Sequence, residues 1–445
     1  MLTCGLLFVI IAALAALCFP FYEEPPTCPH DPSACFFSDG YTAARARFRA
    51  AALRANASLH TLTLPTGNDL TIDVAVLSAG DPPSRDPPTL VHMSGTHGVE
   101  AYAGSAVQLA LLEKFTSMPS AHRGVRIVLV HAVNPFGFRC GRRFNEDNAD
   151  LNRNVLKAAE FAELRVEKER VNLYAEHQWL FNLRQAWTPV LDDLRFAAHA
   201  LYGIAVLGSA NVKRSVVAGQ YHEPDGLYFG GTQLAASHSL LLPKLREVAV
   251  PASAAILLDV HTGLGPTGVD TLIPSFEATD PERAKANAAA FHVIFGRDAS
   301  GGQPAPELGT EFLIDAPTPG EATDSAAAGY ELTKGTTGRY PALIGGWQRA
   351  LHVTQEFGTV PGPLVLRGMA IERAEWLYRT PGPHSECPGS ALGAKHVRDV
   401  FYVKTASWQS KVVRRGVRLA EQALWALDEA PSSVPVMPGF LAAVL

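Results

Sequence analysis

The sequence lacks most of the features that would classify it quickly. Its six cysteines show no Cys-x-x-Cys spacing, which excludes a zinc-finger type of scaffold. Charge is not clustered either. The 38 basic and 43 acidic residues are spread along 445 positions for a formal net charge of −5, so the basic face that nucleic-acid binding requires is missing. There is no internal repeat, no coiled-coil heptad and no stretch that resembles a linker; the Pro-rich pieces around Asp81 to Pro88 and Gln303 to Gly320 are short and read as loops. Ser94-Gly95-Thr96 follows an apolar run but lacks the Gly-x-Ser-x-Gly elbow of a serine hydrolase, and Ser105 lies in a helical run.

Long hydrophobic runs are absent except for Gly5 to Phe19, which carries no charge and ends before Pro20. It is short for a membrane span, which needs about 20 residues. It fits the apolar core of a secretory signal, although the usual preceding basic residues are missing. Residues 1–20 are therefore read as a signal peptide or short membrane anchor, with a buried helix as the third reading. A signal would make the protein secreted or membrane-associated, the membrane contact running through residues 5–19; without one it is cytoplasmic. Asn56-Ala57-Ser58 is a glycosylation acceptor sequence, meaningful only in the secretory pathway. Cys28 and Cys35 are close enough to pair, and Cys140 and Cys387 could pair at long range; isolated buried thiols are an equal reading.

The remaining sequence is well patterned, and 47% of it is hydrophobic. Tyr41 to Ala55 predicts an opening surface helix, Ala101 to Phe115 a second helix, and Leu156 to Leu194 further helical material. Asp69 to Leu77 alternates, whereas Leu90 to Met93, Val125 to Val133, Ile256 to Val260 and His352 to Phe357 are strand-like apolar runs. Strands separated by helices predict an α/β sheet covered on both faces. Ligands bind such sheets at the carboxyl ends of the strands.

The chemistry-bearing residues fall at those ends. Gly95-Thr96-His97-Gly98-Val99-Glu100 follows one strand and supplies a histidine and a glutamate three residues apart. His261 ends another run, Ile256 to His261. Two histidines and one carboxylate form a catalytic zinc ligand set with a fourth position left to water. Alone, His97 reads more readily as a capping or core histidine. Gly95 and Gly98 on either side of it indicate a tight turn with close backbone passage. Asp259 shares a strand face with His261, where it can support that ligand or cap a turn. Glu356 emerges from a fourth apolar strand, where desolvation would raise its pKa towards the range of a general base; pairing with an arginine is as good a reading. The polar run Arg142 to Asn154 contains Arg153, able to grip a carboxylate bidentately, Asn152 beside it, and arginines able to hold an oxyanion. Solvated loop charge is the competing explanation.

In order along the chain, these segments resemble the zinc carboxypeptidase-like metallohydrolases, in the branch that carries the DUF2817 domain and is related to succinylglutamate desuccinylase and aspartoacylase. The resemblance rests on Gly95 to Glu100, Asn134-Pro135-Phe136-Gly137-Phe138, Arg142 to Asn148 with Asp150 to Asn154, Asp259-Val260-His261-Thr262-Gly263, and Glu356-Phe357-Gly358-Thr359. It runs from about Phe36 to Arg418. It implies a three-layer α/β/α domain over residues 36–445 with a mixed, roughly eight-stranded central sheet. It further implies one Zn2+ per chain on His97, Glu100 and His261, with Glu356 as general base and acid. Arg143 is similar to the family's carbonyl-polarising arginine. Adjacent Arg142 leaves that alignment ambiguous by one residue and is the further candidate for substrate binding. Arg153 with Asn152 would receive a substrate carboxylate. Tyr330 and Tyr340 lie at loosely suitable positions for a mobile tyrosine but carry no motif.

The implied reaction is hydrolysis of an amide beside a free carboxylate, in a peptide or an N-acyl amino acid. A metallocarboxypeptidase is the first reading, and a zinc-dependent amidase or deacylase of small N-acyl amino acids the second. A non-catalytic module that holds an anionic ligand is the reading from another class. The insert from His222 to Ser239 could reshape the pocket, and oligomeric state is not legible.

Overall fold

A computed structural model describes residues 28, 32–67, 69–80, 85–119, 124–274, 289–291, 293–296, 313–314, 332–380 and 387–437. Among the described residues eight strands form one sheet: β1 (Ser58–Thr63), β2 (Thr71–Leu77), β3 (Thr89–Ser94), β4 (Arg126–His131), β5 (Ala255–Gly263), β6 (Asp270–Pro274), β7 (Leu313–Ile314) and β8 (Ala350–Gly358), in the order β1-β2-β4-β3-β5-β8-β6-β7. The centre, β4-β3-β5-β8, is parallel, while β2 and β6 run antiparallel to their neighbours there. The sheet is thus mixed, as the family resemblance implies, and covered by helices, as its apolar runs predict.

Period-two alternation divides the strand residues between two cores. Ile127, Leu129, Ile256, Leu258 and Phe357 pack on one face with helices Tyr41–Arg54, Ala101–Ser117 and Ala406–Glu429. Val128, Val130, Val91, Met93 and Leu257 pack on the other with helix Ala236–Ala249, Tyr340 and Trp347. Asp259 and His261 continue the Leu257 face towards the strand end. Glu356 is the register partner of His261 on the adjacent parallel strand, so it shares that face. Alternation alone therefore places Glu356, His261 and Asp259 on one face.

Two expectations are refined by burial. Helix Tyr41–Arg54 is not purely a surface helix, because Tyr41, Ala44, Phe48, Ala51 and Ala52 are buried. Strand β2 is buried at nearly every position, since covering both sheet faces removes the solvent side that alternation implied. The helical material after Leu156 forms Ala158–Val166, Lys168–His177 and Leu191–Leu207.

Cys28 pairs with Cys35 and Cys140 with Cys387, which decides between disulfides and isolated thiols at these four positions. Cys4 and Cys18 lie outside the described residues. The membrane contact expected through residues 5–19 is corrected here. Among the described residues no helix is long and apolar enough to cross a membrane, and residues 5–19 themselves lie outside them.

Candidate metal centre

The turn after β3 is built by two glycines. Gly95 has φ +68°, and a Cβ there would lie 2.8 Å from those of both Ala101 and Ala132. At Gly98 a Cβ would lie 2.0 Å from the carbonyl carbon of Gly137. That close passage lets Gly98 N and Val99 N donate to the carbonyls of Arg143 and Arg142, at 3.2 and 2.9 Å. The facing helix, Pro135–Cys140, is started by the Asn134 side chain, which accepts from Gly137 N at 2.7 Å, and stopped by left-handed Gly141. Asn134 Nδ2 also donates to Arg143 O at 3.1 Å. The His97 turn and the two arginines are consequently one hydrogen-bonded unit.

His97, Glu100 and His261 converge and are all buried, their candidate ligand atoms lying within 4.8 Å of one another. His97 Nδ1 faces His261 Nδ1 at 3.1 Å. Glu100 Oε1 is 2.8 Å from the former and Oε2 is 3.1 Å from the latter. Ligand atoms about 2.0–2.2 Å from a tetrahedral zinc are separated by roughly 3.3 Å, close to these distances. Two imidazole nitrogens turned towards each other require a shared proton or a cation. The donor set therefore fits zinc.

The outer nitrogens are anchored by carboxylates, as metal-ligating histidines generally are. His97 Nε2 lies 3.0 Å from Asp150 Oδ1 and His261 Nε2 lies 3.0 Å from Asp259 Oδ2. Thr96 Oγ1 and Thr337 Oγ1 donate to Asp259 at 2.9 and 2.7 Å. Thr262 N adds a hydrogen bond to Glu100 Oε2 at 3.0 Å. Burial alone would raise the Glu100 carboxyl, but His97, Arg143 and His261 hold it well below the usual range. Burial would likewise raise Asp150, and His97 and Arg143 keep it low. Glu356 behaves oppositely: burial, then the Glu100 charge, push its carboxyl up. It accepts a hydrogen bond from Leu264 N at 3.1 Å.

The two candidate arginines are separated by the fold. Arg143 donates from Nη1 to Glu100 Oε1 at 2.7 Å, and its Nη2 lies 2.9 Å from His97 Nε2 and 3.3 Å from Asp150 Oδ2. Arg142 is placed elsewhere, against Glu372 at 2.5 Å and Asn148 at 2.8 Å, with its guanidinium 3.4 Å from the centre of the Trp376 ring. Arg153 is buried and gives Nε and Nη2 to Val217 O and Nη1 to Asn152 O. Asn152 turns its Oδ1 to Thr337 N at 3.0 Å. Tyr340 is buried, its hydroxyl 2.7 Å from His238 Nδ1; Tyr330 lies outside the described residues.

The supporting residues Asp150, Thr96, Thr337 and Tyr228 were not singled out by sequence. Asp150 stood in a recognised polar run, and its spacing of two from Asn152 was the available signal. Tyr228 lies in the insert after His222, its ring 4.8 Å from Arg143 and 5.5 Å from Arg153. No motif marks it. The same insert braces the site, Asp150 N donating to Phe229 O at 2.7 Å and Asn154 Nδ2 to Gly230 O at 2.8 Å.

No curated protein matches the chain. Among solved structures it is similar to the carboxypeptidase A of Helicoverpa armigera, with 10% identity over 94% of this chain and 81% of that one and a TM-score of 0.45. It is also similar to metallo-carboxypeptidases of Burkholderia cenocepacia (11% identity, 84% and 69% covered, TM-score 0.38) and Pseudomonas aeruginosa (14% identity, 84% and 69% covered, TM-score 0.35). Residues 37–415 match the family described as protein of unknown function, DUF2817. Because that match spans well over half of the chain and includes the His–Glu–His cluster, the chain belongs to the DUF2817 family.

Proposed function

We propose that this protein is a zinc-dependent hydrolase, and in particular a metallocarboxypeptidase that cleaves the amide next to a free carboxylate. The observation that carries the reading is the facing pair His97 Nδ1 and His261 Nδ1, closed by Glu100 and backed by Asp150 and Asp259. His97, Glu100 and His261 would hold one zinc ion. Bound there, zinc lowers the pKa of a water to about 7 and polarises a carbonyl.

The chain's own groups supply the rest. Glu356, raised by burial and by Glu100, takes the proton of the attacking water and returns it to the departing amine. Arg143 is the guanidinium nearest the ligands and holds the oxygen of the scissile carbonyl as charge develops on it. Arg153 receives the substrate carboxylate, exchanging its neutral carbonyl partner Val217 O for a charged one. Asn152 adds a donor beside it.

The test is release of a C-terminal residue from a free peptide, compared with its C-terminal amide and with N-acyl amino acids. Cleavage of the free peptide alone supports the carboxypeptidase. Turnover of N-acyl amino acids alone moves the reading to a small-molecule deacylase. Equal cleavage of acid and amide removes the role of Arg153, and absence of bound zinc removes the hydrolase.

A further inference from the structure

Asn56-Ala57-Ser58 is the one Asn-x-Ser/Thr sequence of the chain, and the hydrolase reading gives it no task. It occupies the turn between helix Tyr41–Arg54 and strand β1. Asn56 has φ +59°. Asn56 N donates to Leu53 O and Ala57 N to Ala52 O, at 3.1 and 2.9 Å, the two bonds of a left-handed helix stop. The turn leaves Asn56 and Ser58 exposed on either side of buried Ala57. Glycine would end the helix as well as asparagine does, and helix termination asks nothing of Ser58.

The strand that follows adds a second observation. Among the described residues β1 pairs only with β2 and is an edge of the sheet. Such edges are normally blunted by charge, proline or a bulge to prevent pairing with other chains. Ser58-Leu59-His60-Thr61-Leu62-Thr63 contains no Lys, Arg, Asp, Glu or Pro, and every residue of it is at least partly exposed. Four cysteines are paired in two disulfides, the state expected of an oxidising compartment.

We infer that Asn56 is an N-glycosylation site whose glycan shields the β1 edge. The amide Nδ2 of Asn56 forms a bond to the anomeric carbon of a lipid-diphosphate-linked oligosaccharide. The carbon–oxygen bond to the diphosphate breaks, and the lipid diphosphate leaves while the amide loses one proton. β1 stands four strand spacings from β5 in the sheet order, about 19 Å, so the glycan is remote from the metal centre.

The test is expression of the full chain in a eukaryotic secretory host, with treatment by a peptide N-glycosidase. One glycosidase-sensitive mobility step is expected, lost in Asn56→Gln and Ser58→Ala and kept in Ser58→Thr. A secreted, disulfide-bonded chain without the step, a step that survives Asn56→Gln, or a chain retained in the cytosol with free thiols overturns the site. For the shielding role, Asn56→Gln is expected to aggregate several-fold more at equal concentration, and Asn56→Gln with Thr63→Lys to recover solubility. Equal aggregation of wild type and Asn56→Gln overturns that role. Hydrolysis measured on the same samples is expected to be unchanged, so the outcome is independent of the zinc reading.

Discussion

Asp150 Oδ1 lies 3.0 Å from Nε2 of His97, the ring nitrogen opposite the one that faces Glu100 and His261. The same carboxylate accepts from Asn152 N at 2.9 Å and lies 3.3 Å from Nη2 of Arg143. One buried acid thus orients the imidazole of His97, shapes the turn that carries Asn152 and Arg153, and positions Arg143. Asp150→Asn keeps the shape but removes the charge. Zinc affinity is expected to fall about 10–100-fold, measured by competition with a chromogenic chelator. Unchanged affinity would show that His97 is oriented without it.

Glu356→Gln removes the proton carrier without touching the His97, Glu100 and His261 cluster. Zinc content by elemental analysis is expected to stay at the wild-type level while kcat falls roughly 10²–10⁴-fold. An active Gln variant rules Glu356 out as the base.

Arg142 and Arg143 are expected to separate in kinetics and stability. Arg143→Ala should lower kcat by about 10²-fold or more in a chain that still folds. Arg142→Ala leaves Glu372 buried without its partner, so its effect should be a stability loss of about 3–5 kcal/mol, read by urea unfolding. Reversal of the two patterns would exchange their roles.

Gly98→Ala forces a Cβ to within 2.0 Å of the Gly137 carbonyl carbon. Backbone, rather than a flexible side-chain end, has to move. A loss of at least about 1–3 kcal/mol is expected in denaturant unfolding, with zinc affinity falling in parallel because the moved backbone holds His97. Wild-type values for both would contradict the close approach.

Acid stability follows from buried histidines away from the ligands. Burial lowers His92, His131 and His238 each to about 4. They stay neutral in the folded chain down to that pH, whereas in the unfolded chain they protonate near 6.5. Unfolding therefore takes up protons between these values, and stability falls as pH drops from about 6.5 to 4, by up to about 1.4 kcal/mol per pH unit for each group. Urea unfolding at pH 7, 6 and 5 checks the slope; a flat or rising profile on acidification refutes it.

Much of the fold and of the His97, Glu100 and His261 cluster was legible because both depend on short-range pattern. The apolar runs at Leu90 to Met93 and Ile256 to Val260 locate strands, and strand ends locate His97 and His261. Gly95 and Gly98 signalled a tight turn, and the structure shows that neither has room for a Cβ. The alternation of Asp259 with His261 placed them on one face, and the 3.0 Å contact between them follows from that geometry.

What sequence left open concerns partners separated by long stretches of chain. Arg142 and Arg143 are chemically identical neighbours, and only the packing of Glu372 and Trp376 against one and Glu100 against the other distinguishes them. Thr337, in the helical turn Thr337–Arg339 before β8, reaches Asp259, and Cys140 reaches Cys387, through pairings that no local spacing encodes. Sequence by itself determined which residue types stand at which strand ends, because side-chain period and turn chemistry act over a few residues. Tertiary structure decided which charge faces which, because in a buried site that depends on the distances at which distant segments meet.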